Sequence, residues 1–285
     1  TFAEDGYRGL FETIKTPMVD AEGKFIGVLG IARDITERKA AEAKILRLSQ
    51  FYAALSESNQ DIVRCTSEEE LFPKICRNAV QFGGMKMAWI GLVDPDTSMV
   101  RLAASFGDGT EYLQGIKISV DAASPFGRGL TGSAIRENRP FWCQDFRNDP
   151  LTAPWHERGA RAGFNAMASL PLTRGGATIG MFNLYAGETN AFDQAARDLL
   201  VEMATDISFA LDNFAREAAR HRAEETLLES EQRYSSLFEN MLNGFAYCRM
   251  QYDDQARPVD FVYLDVNKSF ARLTGLKNVV GKPVS

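Results

Sequence analysis

Two long stretches of this sequence, Ile31–Phe72 and Glu188–Asn243, contain neither glycine nor proline and bracket a glycine-containing block. In both, apolar residues recur at the a/d spacing of a helix with a coiled-coil seam. The first seam consists of Ala41, Ile45, Leu48, Tyr52, Leu55, Asn59 and Ile62. The second consists of Leu200, Ala204, Ile207, Leu211, Phe214 and Ala218, after which it becomes polar. The spacing predicts a long helix at each end of a globular block.

Helices of this length extend beyond one small core. We therefore expect part of each helix to pair with a second copy of the chain, which gives a parallel homodimer. The alternative is two bent amphipathic helices that pack only on their own domain, because each repeat lasts only a few heptads.

The composition is that of an ordinary soluble protein with room for about two domains. Of the 285 residues, 45% are hydrophobic and 25% are charged, so a sizeable core can form. The net charge of -6 gives no electrostatic attraction to phosphates, and we expect no nucleic-acid partner.

The four cysteines are widely spaced and form no CxxC or Cys/His cluster. This spacing disfavours zinc and a disulfide framework and indicates a reducing compartment. No apolar run reaches about 18 residues and no signal peptide is visible, so we expect a cytoplasmic segment without membrane spans. Because the chain starts without methionine, we interpret it as an internal part of a longer protein.

The sequence begins with two strand-like runs joined by the turn Asp20–Gly23 and closed by Asp34-Ile-Thr-Glu37. Asp34 and Thr36 are suited to cap the following helix and to anchor it to the strands. A strand pair closed by Asp-Ile-Thr resembles the C-terminal end of a PAS domain that runs into its linker helix. The resemblance implies a partial PAS domain over residues 1–36 and a linker helix over 37–50.

The central block carries three further motifs. They are Gly127-Arg-Gly-Leu-Thr-Gly132, Ser169-Leu-Pro-Leu172 and Ile179-Gly-Met-Phe-Asn-Leu-Tyr185. With Phe192 and the amphipathic helix after it, they resemble a GAF domain over residues 51–214. The resemblance implies an α+β fold with an antiparallel sheet sandwiched by helices, long signalling helices at both ends and partial PAS segments.

The glycines of the first motif predict a tight loop with positive φ, followed by a short helix capped by Thr131 or Ser133. A phosphate-binding loop is the alternative, but the Lys-Ser/Thr pair that it needs is missing. We interpret the motif as a structural turn.

The end of the chain contains Asn267 followed by Phe270, Leu273 and Thr274-Gly275. This pattern resembles the opening half of a second PAS domain over residues 231–285, after a linker helix over 215–230. The half that would complete a pocket is absent, so we expect no cofactor in either PAS segment.

No catalytic constellation is visible, so we predict that the segment is not an enzyme. Its two histidines, His156 and His221, have no nucleophile or metal ligand at motif spacing. Some GAF domains bind heme, bilin or a cyclic nucleotide. The isolated His156 disfavours heme and the lack of a Cys-His pair disfavours bilin. Leu184 after Asn183 disfavours a cyclic nucleotide, which leaves the cofactor unassigned.

Several side chains flank the sheet face that GAF domains use for ligands. The candidate pocket residues are Phe106, Arg128, Trp142, Asp145, Trp155, Phe164, Met167, Ser169, Asn183 and Tyr185. Aromatic walls with a few directed polar groups are typical of small-molecule sites. The alternative is that these aromatic side chains only fill the core.

These observations predict a sensory input segment of a bacterial signal-transduction protein. It would couple a small molecule or a partner, sensed by the GAF domain, to an output domain outside this chain. The first expectation for the output is a diguanylate cyclase or phosphodiesterase. The alternatives are the input segment of a sensor histidine kinase and a ligand-free dimerisation spacer.

Overall fold

The computed structural model describes the backbone of residues 2–4 and 7–284 and the side chains of residues 9–284. The chain forms two compact units, Thr1–Ala215 and Arg216–Ser285. The predicted α+β class is confirmed, because the first unit contains a five-stranded antiparallel sheet covered by helices.

The N-terminal strands form two antiparallel pairs. β1 (Phe2–Glu4) pairs with β2 (Tyr7–Gly9), and β3 (Phe11–Val19) pairs with β4 (Phe25–Asp34). In the turn between β3 and β4, Asp20 Oδ1 accepts hydrogen bonds from the N–H groups of Glu22 and Lys24 at 3.1 and 2.8 Å. The predicted turn is confirmed.

The first helix, α1, covers Thr36–Arg64. Asp34 Oδ1 accepts hydrogen bonds from the N–H and the Oγ1–H of Thr36 at 2.8 and 2.6 Å. The Leu10 N–H donates to Thr36 Oγ1 at 2.7 Å. These bonds attach the first turn of α1 to the β3–β4 pair, which confirms the predicted anchoring. The predicted capping is wrong, because Ile35 is the cap residue and, among the described residues, no side chain caps the helix.

The first stretch without glycine and proline is not one helix. A short connection separates α1 from α2, which covers Glu68–Gln81. Ser67 Oγ accepts from the Glu70 N–H at 3.4 Å, and Glu70 Oε2 accepts from the Thr66 N–H at 3.2 Å. The prediction of a continuous helix through Phe72 is wrong, because Ser67 and Glu70 have the spacing of a capping box, which starts a new helix.

The buried face of α1 differs from the predicted seam. Its buried residues are Phe51, Ala54, Leu55 and Ser58, with Leu48 and Ile62 packed beside them. By contrast, Ile45 and Tyr52 are 68% and 61% exposed. Part of the predicted seam therefore packs on the chain's own core, as the alternative interpretation required, and the rest faces solvent.

The central sheet has the strand order β6-β5-β9-β8-β7, and every neighbouring pair is antiparallel. Its strands are β5 (Met87–Val93), β6 (Val100–Gly107), β7 (Phe141–Cys143), β8 (Ala166–Arg174) and β9 (Ala177–Ala186). One face packs against α1, α2 and the first part of α5 (Gln194–Asn240). The other face lies under the crossover segments, which contain α3 (Leu130–Glu137) and α4 (His156–Ala162).

Helix α5 has 47 residues, a length of about 70 Å at about 1.5 Å per residue. The helix starts and ends inside the predicted stretch. It starts at Gln194 because Asp193 accepts a hydrogen bond from the Ala196 N–H at 3.0 Å and so caps the first turn. Leu200, Ile207 and Leu211 are buried in the core. In the described part of the chain, no helix is both long and apolar enough to cross a membrane.

The second unit contains β10 (Ala246–Tyr252), β11 (Pro258–Val266) and α6 (Lys268–Thr274). Asn267 is buried, and its side chain makes four hydrogen bonds. Its Oδ1 accepts from the N–H groups of Phe245 and Phe270 at 2.8 and 2.9 Å. Its Nδ2 donates to the carbonyl oxygens of Phe238 and Asn243 at 3.0 and 2.9 Å. Asn267 thus joins the end of α5, the start of β10 and the cap of α6.

Candidate functional site

A small cavity lies between the central sheet and the crossover that covers it. Its volume is about 20 Å³, room for about one water molecule. Residues 129–132, at the start of α3, form one wall. The other main lining residues are Tyr112, Phe146, Leu151, Trp155, Met167 and Tyr185. The lining is apolar and carries no charged side chain among these residues.

An aromatic cluster supports the floor of this cavity. Tyr185 lies 4.4 Å from Phe164, 5.5 Å from Tyr112 and 5.9 Å from Phe146, measured between ring centroids. Burial raises the pKa of Tyr185 to about 12 and also raises the pKa of Tyr112. Both hydroxyl groups are therefore neutral near pH 7 and serve as hydrogen-bonding groups, not as charges.

Behind the cavity lies a buried polar group centred on Asn183. Its Oδ1 accepts hydrogen bonds from Ser169 Oγ at 2.6 Å and from Thr131 Oγ1 at 3.1 Å. Within the described residues, Asn183 Nδ2 is buried and has no hydrogen-bond partner. Exchanging the two amide atoms would leave the oxygen without a partner instead. A buried polar atom without a partner costs about 1–3 kcal/mol, so this position favours a ligand with a complementary group.

A second buried donor lies beside Asn183. Trp89 is directly opposite Asn183 in the register of β5 and β9, so both side chains lie on the cavity face of the sheet. The Trp89 Nε1–H is near the Tyr185 hydroxyl without reaching hydrogen-bond geometry. Two N–H groups on adjacent strands therefore lie at the back of the cavity without a good acceptor.

The structure brings six of the ten predicted pocket residues together. Trp155, Met167 and Tyr185 line the cavity, and Phe164 packs in the same cluster. Ser169 and Asn183 lie one layer behind, where Thr131 connects them to the wall. Their contact with a ligand stays a prediction.

The other four predicted residues lie elsewhere. Phe106 and Trp142 pack on the opposite face of the sheet, because they pair with Ala88 and Ala168, whose side chains point into the helical core. Arg128 and Asp145 are tied into loops. Arg128 Nε donates to the Ala122 carbonyl at 3.2 Å, and Asp145 accepts from Asn148 Nδ2 at 2.7 Å.

Sequence reasoning missed Tyr112, Phe146 and Thr152 in the lining. Tyr112 and Thr152 lie in the irregular crossover, where no periodic pattern indicates direction. Thr131 was expected to cap α3, but its hydroxyl group bonds to Asn183 instead, and Gly129 is the cap residue. The position of Thr131 inside the GAF-like glycine motif was the one feature of the sequence that could have indicated its place at the site.

The groups that could hold a visible cofactor are engaged or buried. His156 Nε2 lies 3.0 Å from both Thr152 Oγ1 and the Asp149 carbonyl oxygen, so heme ligation through this atom would break these contacts. Burial raises the pKa of the Cys143 thiol to about 12 and also raises that of Cys76, which disfavours thiolate chemistry. The described residues contain no cluster suited to a metal ion.

Close packing requires the three glycines of the motif at the start of α3, with Gly127 and Gly132 against backbone atoms and Gly129 against the Trp155 ring. None of them has positive φ, so the expected left-handed conformation is wrong. A Cβ on Gly127 would lie 1.9 Å from the Asp121 carbonyl oxygen, and one on Gly132 would lie 2.5 Å from the Gly127 oxygen. The loop folds against its own backbone and leaves no room for side chains.

We expect Gly127→Ala to lower the free energy of unfolding by about 1–3 kcal/mol, since the clashing atoms are backbone. Gly187→Ala is the matched control, because its Cβ would meet only the end of Lys86 at 3.8 Å. Denaturant unfolding followed by tryptophan fluorescence measures both variants. Equal stability of the two would contradict the close packing of this loop.

Comparison with known proteins agrees with this architecture. The model of the GAF domain family matches residues 65–212, and a PAS domain model matches residues 232–285. The chain therefore belongs to the GAF domain family and continues into a PAS domain segment. No curated protein matches the chain.

Three solved structures illustrate the fold similarity. The GAF domain of a phosphoenolpyruvate-protein phosphotransferase from Coxiella burnetii is 14% identical, with 60% of this chain and 98% of that chain covered and a TM-score of 0.49. Free methionine-R-sulfoxide reductase from Neisseria meningitidis is 19% identical, with 59% and 91% covered and a TM-score of 0.48. A GAF domain from an Acinetobacter phosphoenolpyruvate-protein phosphotransferase is 17% identical, with 60% and 97% covered and a TM-score of 0.45.

Proposed function

We propose that this chain is the sensory input segment of a bacterial signalling protein. A small molecule in the GAF cavity would bias helix α5, which leads to an output domain outside this chain. Cyclic-di-GMP synthesis or hydrolysis is the proposed output, and the input segment of a sensor histidine kinase is the alternative. The observation that carries the proposal is the unpartnered Asn183 amide behind a cavity whose strands are attached to α5.

The proposed ligand is a small, largely apolar molecule with at least one hydrogen-bond acceptor. The aromatic walls supply apolar contact, and Asn183 Nδ2 supplies a donor. The first N–H groups of α3 add donors without helical partners. Since the cavity holds only about 20 Å³, such a ligand must displace the crossover. Binding of a ligand in the cavity would then be coupled to the conformation of the chain through this displacement of the crossover.

Two hydrogen bonds connect the ligand-facing strands to α5. The Thr173 N–H donates to Ser208 Oγ at 3.0 Å, and the Gly175 N–H donates to Asp212 Oδ1 at 2.7 Å. Thr173 is the penultimate residue of β8, the strand that carries Met167 and Ser169. A shift of β8 on ligand binding would therefore act directly on α5, and a difference of about 1–3 kcal/mol suffices for 5–150-fold coupling.

We propose that this segment is regulatory and does not catalyse a reaction. The resemblance to a methionine-R-sulfoxide reductase concerns the fold and does not bring its activity to this chain. The buried thiols support the proposal, because burial holds the pKa of Cys143 far above neutral pH.

Native mass spectrometry of the purified chain tests the ligand. We expect a small adduct that denaturation removes, and a colourless protein without heme or bilin absorbance. Asn183→Leu should reduce adduct occupancy, while Asn240→Leu, at an exposed Asn at the end of α5, should not. An adduct-free protein that gains no thermal stability from a metabolite library would favour the ligand-free spacer. A stoichiometric, His156-dependent Soret band would replace the proposal with gas or redox sensing.

We also propose that the chain forms a parallel homodimer through an exposed stripe on α1. The stripe consists of Ile45, Ser49, Tyr52, Ser56, Asn59 and Val63, which are all exposed. Their spacing alternates between four and three, the period of a coiled-coil seam. The polar Asn59 would favour a single register.

We expect the double variant Ile45→Lys/Tyr52→Lys to weaken self-association at least tenfold, because two lysines would meet their copies across the seam. Sedimentation equilibrium measures the change. Gln60→Lys is the control, because Gln60 is exposed and lies outside the stripe. A wild-type chain that stays monomeric at micromolar concentration would contradict the dimer.

A further inference from the structure

Cys65 forms a contact that separates it from the other cysteines. It is the C-terminal cap residue of α1 and is buried. Lys74 of α2 reaches back over the joint between the helices, with its Nζ 3.3 Å from Cys65 Sγ. Asp61 Oδ1 lies 3.6 Å from the same Nζ. A thiol, an amine and a carboxylate therefore meet at this joint.

The three groups are held by different elements and have suited chemistry. Asp61 is fixed from the other side by Asn78, whose Nδ2 donates to Asp61 Oδ2 at 2.9 Å. The pKa of Lys74 is raised, chiefly by its hydrogen bond to Cys65 and by the charge interaction between them. The thiolate is the form of cysteine that attacks a peroxide oxygen, and the Lys74 ammonium group lies in direct contact with Cys65 Sγ. Cys76 and Cys143 have no such neighbour among the described residues, and burial raises the pKa of both.

We propose that Cys65 and Lys74 form an oxidation-dependent covalent cross-link, with a peroxide as the oxidant. In the first step, Cys65 Sγ attacks one peroxide oxygen, the O–O bond breaks, and the other oxygen leaves as water. Sulfur is oxidised by two electrons to a sulfenic acid. In the second step, Asp61, 3.6 Å from Lys74 Nζ, accepts a proton from the ammonium group; the neutral Nζ then attacks Sγ, the S–O bond breaks, and the hydroxyl group takes up a second Lys74 proton and leaves as water.

The protons of this reaction also have a route. One Lys74 proton leaves with the departing oxygen, and Asp61 accepts another and passes it to solvent. The overall change converts one thiol, one ammonium group and one peroxide into an S–N bond, two waters and one proton. Because Nζ and Sγ are already in contact, the side chain of Lys74 needs only a small rotation.

The cross-link would fix the end of α1 to α2. The short connection between these helices lies inside the closed loop, so the cross-link would restrict movement of α1 against α2 in an oxidised chain. The joint would then respond to peroxide independently of any ligand in the cavity.

Peptide mapping of the full chain after hydrogen peroxide treatment tests this inference. Trypsin cleaves the reduced chain after Arg64 and Lys74. After oxidation we expect loss of cleavage at Lys74 and a new peptide, residues 65–77. This peptide should be about 2 Da lighter than its reduced form, and dithiothreitol should restore both the reduced mass and the cleavage at Lys74. A mass gain of about 14 Da with the same missed cleavage also supports the inference, because a second peroxide then transfers one oxygen atom to the sulfur of the S–N link and leaves as water.

Lys74→Arg is the matched variant, since it keeps the positive charge but has no nucleophilic amine. In this variant we expect Cys65 to proceed to sulfinic acid, a gain of about 32 Da. The inference is overturned if the wild-type chain gives sulfinic Cys65 with normal cleavage at Lys74. It is also overturned if Cys65 stays reduced while the partly exposed Cys248 is oxidised.

Discussion

Replacement of Phe51 by alanine is expected to lower the free energy of unfolding of the GAF unit by about 3–5 kcal/mol. Phe51 is fully buried in the helical core below the sheet, so truncation leaves a cavity. Tyr52→Ala, at the next position, is expected to change the free energy of unfolding of the chain, measured at a dilution where it is monomeric, by less than about 0.5 kcal/mol, since Tyr52 is 61% exposed. The pair of variants measures which face of α1 belongs to the core.

The intrinsic tryptophans suit this measurement. All three, Trp89, Trp142 and Trp155, lie in the GAF unit, so their fluorescence during denaturant unfolding reports on this unit. A larger loss for Tyr52→Ala than for Phe51→Ala would show that the predicted seam, not the observed face, packs inward. A small loss for both would show that α1 is a linker outside the core.

The heptad pattern predicted α1 but not its orientation. Phe51 and Tyr52 are adjacent and both aromatic, so two stripes that differ by one position fit the same period almost equally well. Packing decides between them, because Leu48, Leu55 and Ile62 approach the sheet together with Phe51. Leu55 is therefore an inward-facing residue in both arrangements. The prediction placed it against a second copy of the chain, whereas in the structure it packs on the core of its own chain.

The GAF and PAS motifs predicted the sheet and the turns, but they did not predict the face of each side chain. A strand places successive residues on opposite faces, so an error of one residue in the register moves a side chain to the wrong side. Ala88, opposite Phe106, is on the helical face, while Trp89 is on the cavity face. Register comes from pairing across the sheet, which a single sequence does not contain.

The rest of the site depends on long-range contacts. Thr131 and Asn183 are 52 positions apart in sequence, yet their side chains are 3.1 Å apart. The glycine motif showed that a tight loop precedes α3, but only the fold brings that loop over β9. Similarly, the attachment of the β8–β9 turn to Asp212 depends on the rotation of α5, which no local pattern reports.

Helix α5 continues as a single helix beyond the GAF core. From Arg216 to Leu237 its residues are exposed, and Arg220 forms ion pairs with Glu217 and Glu224. Such a segment has little core packing of its own, and surface ion pairs resist rotation only weakly. If the proposed relay runs through this helix, we expect its output to depend on the rotational phase at which α5 leaves the GAF unit.

Two insertions in α5, made in a protein that carries this segment together with its output domain, test the proposed relay. One residue inserted after Ala218 rotates everything downstream by about 100°, whereas seven residues restore the phase to within about 20°. With cyclic-di-GMP level as the readout, we expect the single insertion to change the output severalfold and the seven-residue insertion to preserve it. Equal output from both insertions would show that α5 is only a tether, and it would contradict the relay.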